Sequence, residues 1–254
     1  MKKFLFILFV TTVAQAVSAQ PADERRDFLA SLFADWRYQV GGGVAVGGTA
    51  PLPMPRSIRR IEAFNPLLNL YVEGLASRPV VGRWGIAAGL RLERKGMKTK
   101  AQVKNYRMEM TADDGAFMEG AWTGHVETRV RSVYLTLPLL ATCSLGRRWQ
   151  VSAGPYLSLC VRGNFGGAAY DGYIRHYDPT GEKAYVTHAT YDFGDDVRRW
   201  AWGVQAGAAY RCTERISAQA ALDWGLTSVF HSGFTAVTFP LRPIYGRVGA
   251  AYLF

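Results

Sequence analysis

The fold class that the sequence predicts is all-β: an eight-stranded, antiparallel, up-and-down transmembrane β-barrel with short periplasmic turns and long extracellular loops. Three observations predict it. Apolar residues recur at every second position in about eight blocks, a period typical of strands with one apolar face. The connections between blocks are alternately short and long. Both ends of the chain have patterns typical of exported outer-membrane proteins.

The chain divides into three predicted segments. Residues 1–19 have a basic start, an apolar run and small residues near position 19, which predicts a cleaved signal peptide. That apolar run is shorter than the roughly 20 residues that a membrane-spanning helix needs. Residues 20–35 form an N-terminal periplasmic segment, either an amphipathic helix or a disordered leader. Residues 36–254 are predicted to form the barrel.

Composition agrees with an all-β chain, although the length would equally suit one soluble domain. The 254 residues include 27 Gly, 13 Tyr, 13 Phe and 7 Trp, with a formal net charge of +10. Because the Lys and Arg residues are scattered, the charge predicts solvated loops and contact with anionic lipid headgroups, and no nucleic acid as a partner. Cys143, Cys160 and Cys212 do not lie opposite one another in the strand pattern, so we expect no disulfide.

The alternating blocks predict the positions of the strands and loops. Pro138 in the fourth block is a mild objection, since proline donates no ladder hydrogen bond. Long polar loops are expected over about 50–63, 98–128 and 163–196, and a last loop near 230–238. The eight predicted strands cover residues 36–46, 68–76, 84–95, 133–142, 149–162, 199–211, 216–227 and 244–254.

Aromatic residues at corresponding strand ends indicate a membrane interface. Trp36, Trp84 and Trp149 begin odd-numbered strands and face outward, and Phe254 ends the last strand on the same side. They predict half of an aromatic girdle, at the rim where the short turns lie. A soluble β-sandwich, the alternative reading of the strand pattern, gives tryptophans no reason to share one rim.

Charged residues occupy the predicted inner face. Unpaired burial would cost several kcal/mol per ion, so the sequence predicts a lumen that holds water or pairs its charges. A last hairpin centred near 233–236 would place Asp223 opposite Arg247 as an ion pair. The predicted lumen charges are Arg37, Glu73, Arg91, Glu93, Arg199, Asp223 and Arg247.

The last eight residues resemble the closing-strand signal that the barrel-assembly machinery of Gram-negative bacteria recognises. The pattern is a polar residue at Arg247, then Gly249, an aromatic at Tyr252 and the terminal aromatic Phe254. In an alternating strand, Phe254 and Tyr252 would face outward and Arg247 inward. The barrel-assembly machinery is therefore an expected partner during biogenesis.

Four segments resemble the PorT-like outer-membrane β-barrel family. They are Gly89-Leu-Arg-Leu-Glu-Arg-Lys-Gly96, Tyr134-Leu-Thr-Leu-Pro-Leu-Leu140, Gly154-Pro-Tyr-Leu157 and Trp224-Gly-Leu226. These motifs mark the barrel scaffold and not a reaction. The resemblance implies an outer-membrane location. One namesake of the family works in type IX secretion, whereas most members have no assigned role.

An enzymatic role has little support in the sequence. The four histidines, His125, His176, His188 and His231, all fall in predicted loops, and His231-Ser232 is the one His/Ser adjacency. Neighbouring side chains on a strand point to opposite faces, and no spacing guarantees a nucleophile with its base. A metal site made from three of the histidines would require loops to converge. No cofactor is predicted.

The expected function is therefore a non-enzymatic, integral outer-membrane barrel that acts as a structural, binding or assembly/secretion-accessory component through its extracellular loops. Large inward side chains should block solute flow, since an eight-stranded barrel has an interior roughly filled by side chains. Expected partners are outer-membrane lipids and an unidentified envelope or secretion protein. The alternative is a barrel enzyme that modifies outer-membrane lipids.

Overall fold

The computed structural model describes residues 36–113, 115–176, 180–234, 236–237 and 239–254. The predicted signal peptide, 1–19, and the predicted periplasmic segment, 20–35, lie outside the described residues. Arg37–Phe254 forms one compact unit. Within the described ranges there is no helix with the length and hydropathy of a membrane span.

The described residues form eleven β-strands, three more than the eight predicted. The extra strands are β2, β7 and β8. Strands β7 and β8 lie within the segment 163–196 that was predicted as a loop, and most of β2 lies in the predicted loop 50–63. The strands are β1 (Arg37–Pro51), β2 (Ile58–Asn65), β3 (Asn69–Val81), β4 (Trp84–Ala112), β5 (Phe117–Leu145), β6 (Trp149–Arg162), β7 (Phe165–Arg175), β8 (Ala184–Asp192), β9 (Trp200–Arg211), β10 (Ile216–Gly225) and β11 (Leu241–Leu253).

All strand pairs in the sheet are antiparallel. Starting from β1, the pairings run to β3, β4, β5, β6, β9, β10 and β11, and β11 pairs with β1 again from Gln39↔Leu253 to Pro51↔Leu241. The series of pairings therefore returns to its first strand. Short turns near 82, 146 and 213 share one rim with Arg37 and Leu253, which we call the terminal rim.

Strands β4 and β5 are far longer than a bilayer requires. Each has 29 residues, whereas a strand crosses a membrane in roughly 9–11 residues. Their outward faces change character partway along. On β4 the outward residues are apolar from Trp84 to Leu92 and mainly polar or charged from Arg94, and on β5 the change falls between Arg131 and Val133. Since Arg94 pairs with Val133, the two boundaries lie at the same level.

Beyond that boundary the sheet continues as a separate region, which we call the distal extension: β2, β7, β8, residues 97–112 of β4 and residues 117–131 of β5. Strand β7 pairs with β5, β8 pairs with β7, and Thr111↔Thr190 joins β8 to β4. The prediction of long polar loops over 98–128 and 163–196 is therefore wrong. These segments bury one face of each strand, which gives them a reason to fold.

The distal extension has its own apolar core. Trp122, Met108 and Met110 are almost fully buried, and the loop after β10 contributes Phe230 and Val237. Further members of this core are Val103, Val126, Val130, Phe165, Ala169, Ile174, Val186, Ala189, Tyr191 and Phe193. Burial of this many apolar side chains holds the extension as an ordered structure.

Two residues with left-handed backbone mark irregularities in the extension. Asn105 has a φ of 51°, beside a register shift between Val103 and Tyr106 on β4. Asp171 also has a φ of 51°, where the β5–β7 register shifts. Asn and Asp tolerate this conformation better than other non-glycine residues. The shift on β4 allows both Val103 and Tyr106 to face inward although they are three residues apart.

Candidate functional site

The barrel interior is filled by a group of charged residues centred on Arg91 of β4. The Arg91 side chain has no exposed surface. Its Nη1 lies 2.9 Å from Glu73 Oε2, its Nε 3.1 Å from Glu93 Oε2 and its Nη2 3.5 Å from Asp223 Oδ2. Both Nη atoms also donate to Gln205 Oε1 at 3.1 Å. One guanidinium therefore contacts groups from β3, β9 and β10 as well as its own strand.

Asp223 and Arg247 form the second centre of this group. Arg247 Nε donates to Asp223 Oδ2 at 2.7 Å and Arg247 Nη2 to Asp223 Oδ1 at 3.1 Å, a bidentate pair. The register differs from the expected one, because Asp223 lies opposite Tyr245 and Arg247 opposite Ala221. The two residues are therefore diagonal neighbours on one face, a separation that a long arginine side chain spans.

Glu93 connects the group to a third cation. Its Oε1 lies 3.0 Å from Lys95 Nζ and accepts a hydrogen bond from Thr136 Oγ1 at 2.7 Å. The Lys95 ammonium also lies 5.3 Å from the ring centroids of Tyr134 and Tyr156. Lys95 faces inward in the strand pattern but is absent from the predicted lumen charges. We call the six residues Glu73, Arg91, Glu93, Lys95, Asp223 and Arg247 the charge cluster.

Two of the predicted lumen charges lie outside the charge cluster. Arg37 is the first residue of β1 and Arg199 directly precedes β9, and both are exposed. At the rims of a barrel an inward residue reaches solvent, so these two arginines need no buried partner. Of the seven predicted lumen charges, Arg37 and Arg199 are therefore exposed rim residues and not part of the buried set.

The charge cluster contains three cations and three anions, so its formal charges cancel. All six side chains are buried. Such a cluster is tolerated in a low-dielectric interior because each ion has opposite charges within contact distance. Towards the terminal rim the interior holds a small cavity of about 60 Å³ with mixed walls, in which Gln39, Gln150 and Gln219 lie beside apolar residues such as Leu75 and Leu140. At the level of the charge cluster the interior is therefore filled by paired side chains.

The residues of the predicted assembly signal fall on both faces of β11. Tyr252 and Phe254 face outward and their rings contact each other at 5.1 Å. Arg247 belongs to the charge cluster. A Cβ added at Gly249 would lie 2.5 Å from the hydroxyl of Tyr71, so the glycine makes room for an inward tyrosine. That packing accounts for a glycine at this position.

The predicted girdle tryptophans occupy the terminal rim. Trp84 and Trp149 are exposed there, and Trp36, which precedes β1, is partly buried. Three more exposed tryptophans, Trp200, Trp202 and Trp224, lie at the opposite ends of β9 and β10. The sequence pattern places these three outward, but we did not predict a second aromatic belt from them.

The histidines that were predicted to lie in loops each contact a different residue. His125 Nδ1 lies 3.1 Å from Glu62 Oε2 and His188 Nδ1 2.8 Å from Asp113 Oδ1, while His176 contacts the Glu119 carbonyl oxygen. Among the described residues, no three His, Cys, Asp or Glu side chains are arranged to hold a metal ion.

His231 and Ser232 do not have the geometry of a base and its nucleophile. His231 Nε2 lies 3.1 Å from Asp196 Oδ1, and His231 Nδ1 accepts a hydrogen bond from the Gly233 amide at 3.2 Å. Both ring nitrogens are thus directed at groups other than the Ser232 hydroxyl.

Aromatic and cationic side chains meet at the tip of the β7–β8 hairpin. The rings of Tyr173 and Tyr185 are 6.0 Å apart, in an edge-to-face arrangement. The Arg175 guanidinium lies 5.2 Å, and the Lys183 ammonium 4.8 Å, from the Tyr173 ring centroid. Tyr185 is 78% exposed. We call these four residues the tip cluster.

Polar contacts connect strands where the distal extension meets the barrel. Lys98 Nζ lies 2.8 Å from Glu127 Oε1, and this hydrogen bond holds the pKa of the Glu127 carboxyl below its usual range. The Tyr191 hydroxyl donates to the Glu127 carbonyl oxygen at 3.0 Å, and burial raises the pKa of Tyr191. Both groups therefore keep their ordinary charge states at neutral pH.

Energetic coupling between Asp223 and Arg247 is testable with a double-mutant cycle. We expect Asp223→Asn and Arg247→Gln each to lower the free energy of unfolding by up to about 3 kcal/mol, because each leaves an opposite charge buried without its closest partner. The double change should cost less than the sum, with a coupling of roughly 0.5–3 kcal/mol. Unfolding in detergent measures this, and strictly additive effects would contradict the contact.

The antiparallel sheet whose pairings return to the first strand, together with its apolar outer face and charged inner face, defines the class of this protein: an outer-membrane β-barrel. The chain belongs to the family described as outer membrane protein beta-barrel domain, whose family model matches residues 15–231. Its location is accordingly the cell outer membrane.

A search of solved structures found a similar chain. It is that of the crystal structure of Ail, the attachment invasion locus protein of Yersinia pestis, in complex with the heparin analogue sucrose octasulfate. The two share 8% sequence identity with a TM-score of 0.39, and the match covers 87% of this chain and 99% of that one. No curated protein matches the chain.

Proposed function

We propose that the protein is a non-enzymatic outer-membrane barrel that anchors the distal extension as a binding platform at the cell surface. In this proposal the eight strands β1, β3, β4, β5, β6, β9, β10 and β11 cross the membrane, the terminal rim faces the periplasm and the distal extension faces outward. The apolar outer face between two belts of tryptophan supports the membrane crossing, and the short turns at the terminal rim support the orientation.

The observation that carries the proposal is the contrast between a filled barrel and a folded extension. The charge cluster occupies the interior with mutually paired side chains, which supports an anchor and not a wide pore. Meanwhile β4 and β5 each continue for many residues past the apolar band and enclose a second core. Ordered structure beyond the membrane is what a surface receptor or an assembly component needs.

The tip cluster is the surface we assign to a protein partner. Its tyrosines are rigid and amphipathic, and arginine with tyrosine is the composition enriched in protein interfaces. The resemblance to PorT-like barrels, which rests on scaffold motifs such as 89–96 and 134–140, makes an envelope or secretion component a reasonable class of partner. Lipids of the outer membrane would surround the apolar band.

The engagement of both His231 nitrogens supports a non-enzymatic role, because a serine nucleophile requires a free base within hydrogen-bond reach. The alternative, an enzyme that modifies outer-membrane lipids, would make His231 or Ser232 essential. Mass spectrometry of outer-membrane lipids from cells with His231→Ala or Ser232→Ala decides this. A lipid change that disappears in either variant would replace the proposal.

Site-specific photo-crosslinking in living cells tests the binding role. A photoreactive amino acid at position 185 should give one dominant protein adduct, whereas the same group at Tyr38, an exposed tyrosine near the terminal rim, should not give that adduct. Charge reversal of Arg175 and Lys183 should abolish the adduct while heat-modifiable migration of the barrel persists. The same adduct from both positions, or one insensitive to charge reversal, would overturn the assignment of the tip cluster.

A further inference from the structure

The barrel wall has a seam between β1 and β2. Pairing between β1 and β3 ends at Ala45↔Asn69. Above that level β1 stays paired with β11 as far as Pro51↔Leu241, while β2 pairs with β4. Pro66 and Leu67, the latter with a φ of 43°, separate β2 from β3. In the fully described span 37–112, no strand pairing closes the gap between the upper part of β1 and β2.

An apolar cavity of about 270 Å³ lies behind this seam. Its walls come from both sides of the seam, from the inward face of β4 and from the segment before β11, and include Pro51, Ile61, Phe64, Ala101, Met108 and Phe239. An apolar cavity of roughly 150 Å³ holds a benzene ring. By that measure this cavity has room for a chain of about ten carbons.

The mouth of the cavity is continuous with the apolar outer face of the barrel. Leu68, at the distal end of that face, is 73% exposed, and Phe64 and Ile61 of β2, which precede it in the chain, are 53% and 49% exposed. These side chains make an apolar path from the membrane surface to the seam. A molecule in the outer part of the bilayer could therefore enter sideways without crossing water.

Basic residues stand beside the same mouth. Arg59 and Arg60 lie on β2 between Ile58 and Ile61, both of which line the cavity, and Arg56 lies just before the strand. All three arginines are exposed, and none forms an ion pair within the described residues. An arginine next to an apolar mouth favours a carboxylate or phosphate at that point.

We infer that this cavity binds the hydrocarbon chain of an anionic amphiphile, which enters through the seam between β1 and β2 and leaves its acidic head beside Arg59 and Arg60. The inference is independent of the protein partner proposed above, because the tip cluster lies on β7 and β8, away from the seam. It adds a small-molecule site to the barrel.

A chain-length series tests the cavity. The barrel, in phosphatidylcholine nanodiscs, is photolabelled with a dodecanoic acid that carries a diazirine at the chain end, and saturated acids from hexanoate to hexadecanoate compete. Affinity should rise by about fourfold per methylene group and level off near about ten carbons, when the cavity is full. An affinity that keeps rising through hexadecanoate would mean simple partition into the bilayer and would overturn the site.

Two matched variants locate the site. Ala101→Phe fills the cavity and should reduce specific labelling by at least about tenfold, because several methylene groups lose their burial. Gln102→Phe adds the same ring at the next residue of β4, which is exposed and outside the cavity, and should leave labelling unchanged. Ile61→Glu, which places a carboxylate at the half-exposed mouth of the cavity, should also abolish labelling. If all three variants were labelled to the same extent as one another, the labelling would not depend on the cavity and the inference would be refuted.

The role of the arginines is tested with a second probe. Replacing both Arg59 and Arg60 by Gln should weaken competition by decanoate several-fold but leave competition by decanol unchanged, since decanol has no charge. If the double replacement weakened competition by both compounds, or by neither of them, the arginines would not recognise an acidic head group. Adducts mapped by peptide mass spectrometry should fall on cavity residues such as Met97 and Met108. Adducts confined to the outer apolar face would contradict entry of the chain through the seam.

Discussion

Arg91→Met is expected to lower the free energy of unfolding of the barrel by about 3–5 kcal/mol, because it leaves buried carboxylates without their shared cation. Glu73, Glu93 and Asp223 all lie within 3.5 Å of the Arg91 guanidinium. Methionine fills much of the space but supplies no donor. Urea unfolding in detergent micelles, followed by tryptophan fluorescence, measures the change.

The matched control for this prediction is Arg37→Met. Arg37 is exposed at the start of β1, so its replacement should change the stability by no more than about 0.5 kcal/mol. Arg91→Lys should fall between the two, since an ammonium cannot contact Glu73, Gln205 and Asp223 in the planar geometry of a guanidinium. Equal stability of Arg91→Met and the unaltered protein would show that the charge cluster contributes nothing to the barrel.

The parts of the strands that lie in the apolar band were predictable from the sequence. A strand between lipid and a polar interior must alternate, and β4 does so with Trp84, Ile86, Leu90 and Leu92 outward and Arg91 inward. The same alternation predicted that four charged residues face the barrel interior: Glu73, Glu93, Asp223 and Arg247. The alternation of the sequence, however, predicts which face of the sheet a residue is on and not which residue lies opposite it. The Asp223–Arg247 contact was therefore predicted from an incorrect strand register.

The distal extension was mistaken for loops because its pattern is weaker. Its outward residues, such as Lys98, Lys100 and Gln102, are polar, as in a loop. Its inward residues change parity at the bulge around Asn105, so Val103 and Tyr106 do not fit one alternation. Strand β7 begins with Phe165 and then has small residues, which give little signal. A search that allows one inserted residue would have recovered the alternation on β4.

The seam and its cavity had no sequence signal. They depend on where pairing between β1 and β3 stops, which is a long-range property set by Pro66 and Leu67 together with the bend after Pro51. Proline-rich composition over 51–55 was compatible with any loop. The exposure of Arg37 and Arg199 was not predictable for a related reason, because the pattern does not show how close to a rim each strand residue lies.

Trp122→Ala is expected to unfold the distal extension while the barrel persists. Trp122 has no exposed surface, and its ring lies against Gly124 and Gly172, where added Cβ atoms would approach within 2.7 Å of it. Removing a buried tryptophan side chain costs about 3–5 kcal/mol. The barrel strands keep their own pairings and the charge cluster, so the damage should remain distal.

Limited trypsin digestion distinguishes local from global unfolding in this variant. Cleavage should appear after Lys100 or Arg107 of β4. In the unaltered protein Lys100 is paired with both β2 and β5, and Arg107 is paired with β5. Migration of the unboiled barrel should still be faster than that of the boiled one, since its closed hydrogen-bonded sheet resists detergent. Trp84→Ala, on the lipid-facing surface, should not expose these sites. Loss of heat-modifiable migration together with cleavage would mean instead that the continuous strands β4 and β5 make barrel and extension fold as one cooperative unit.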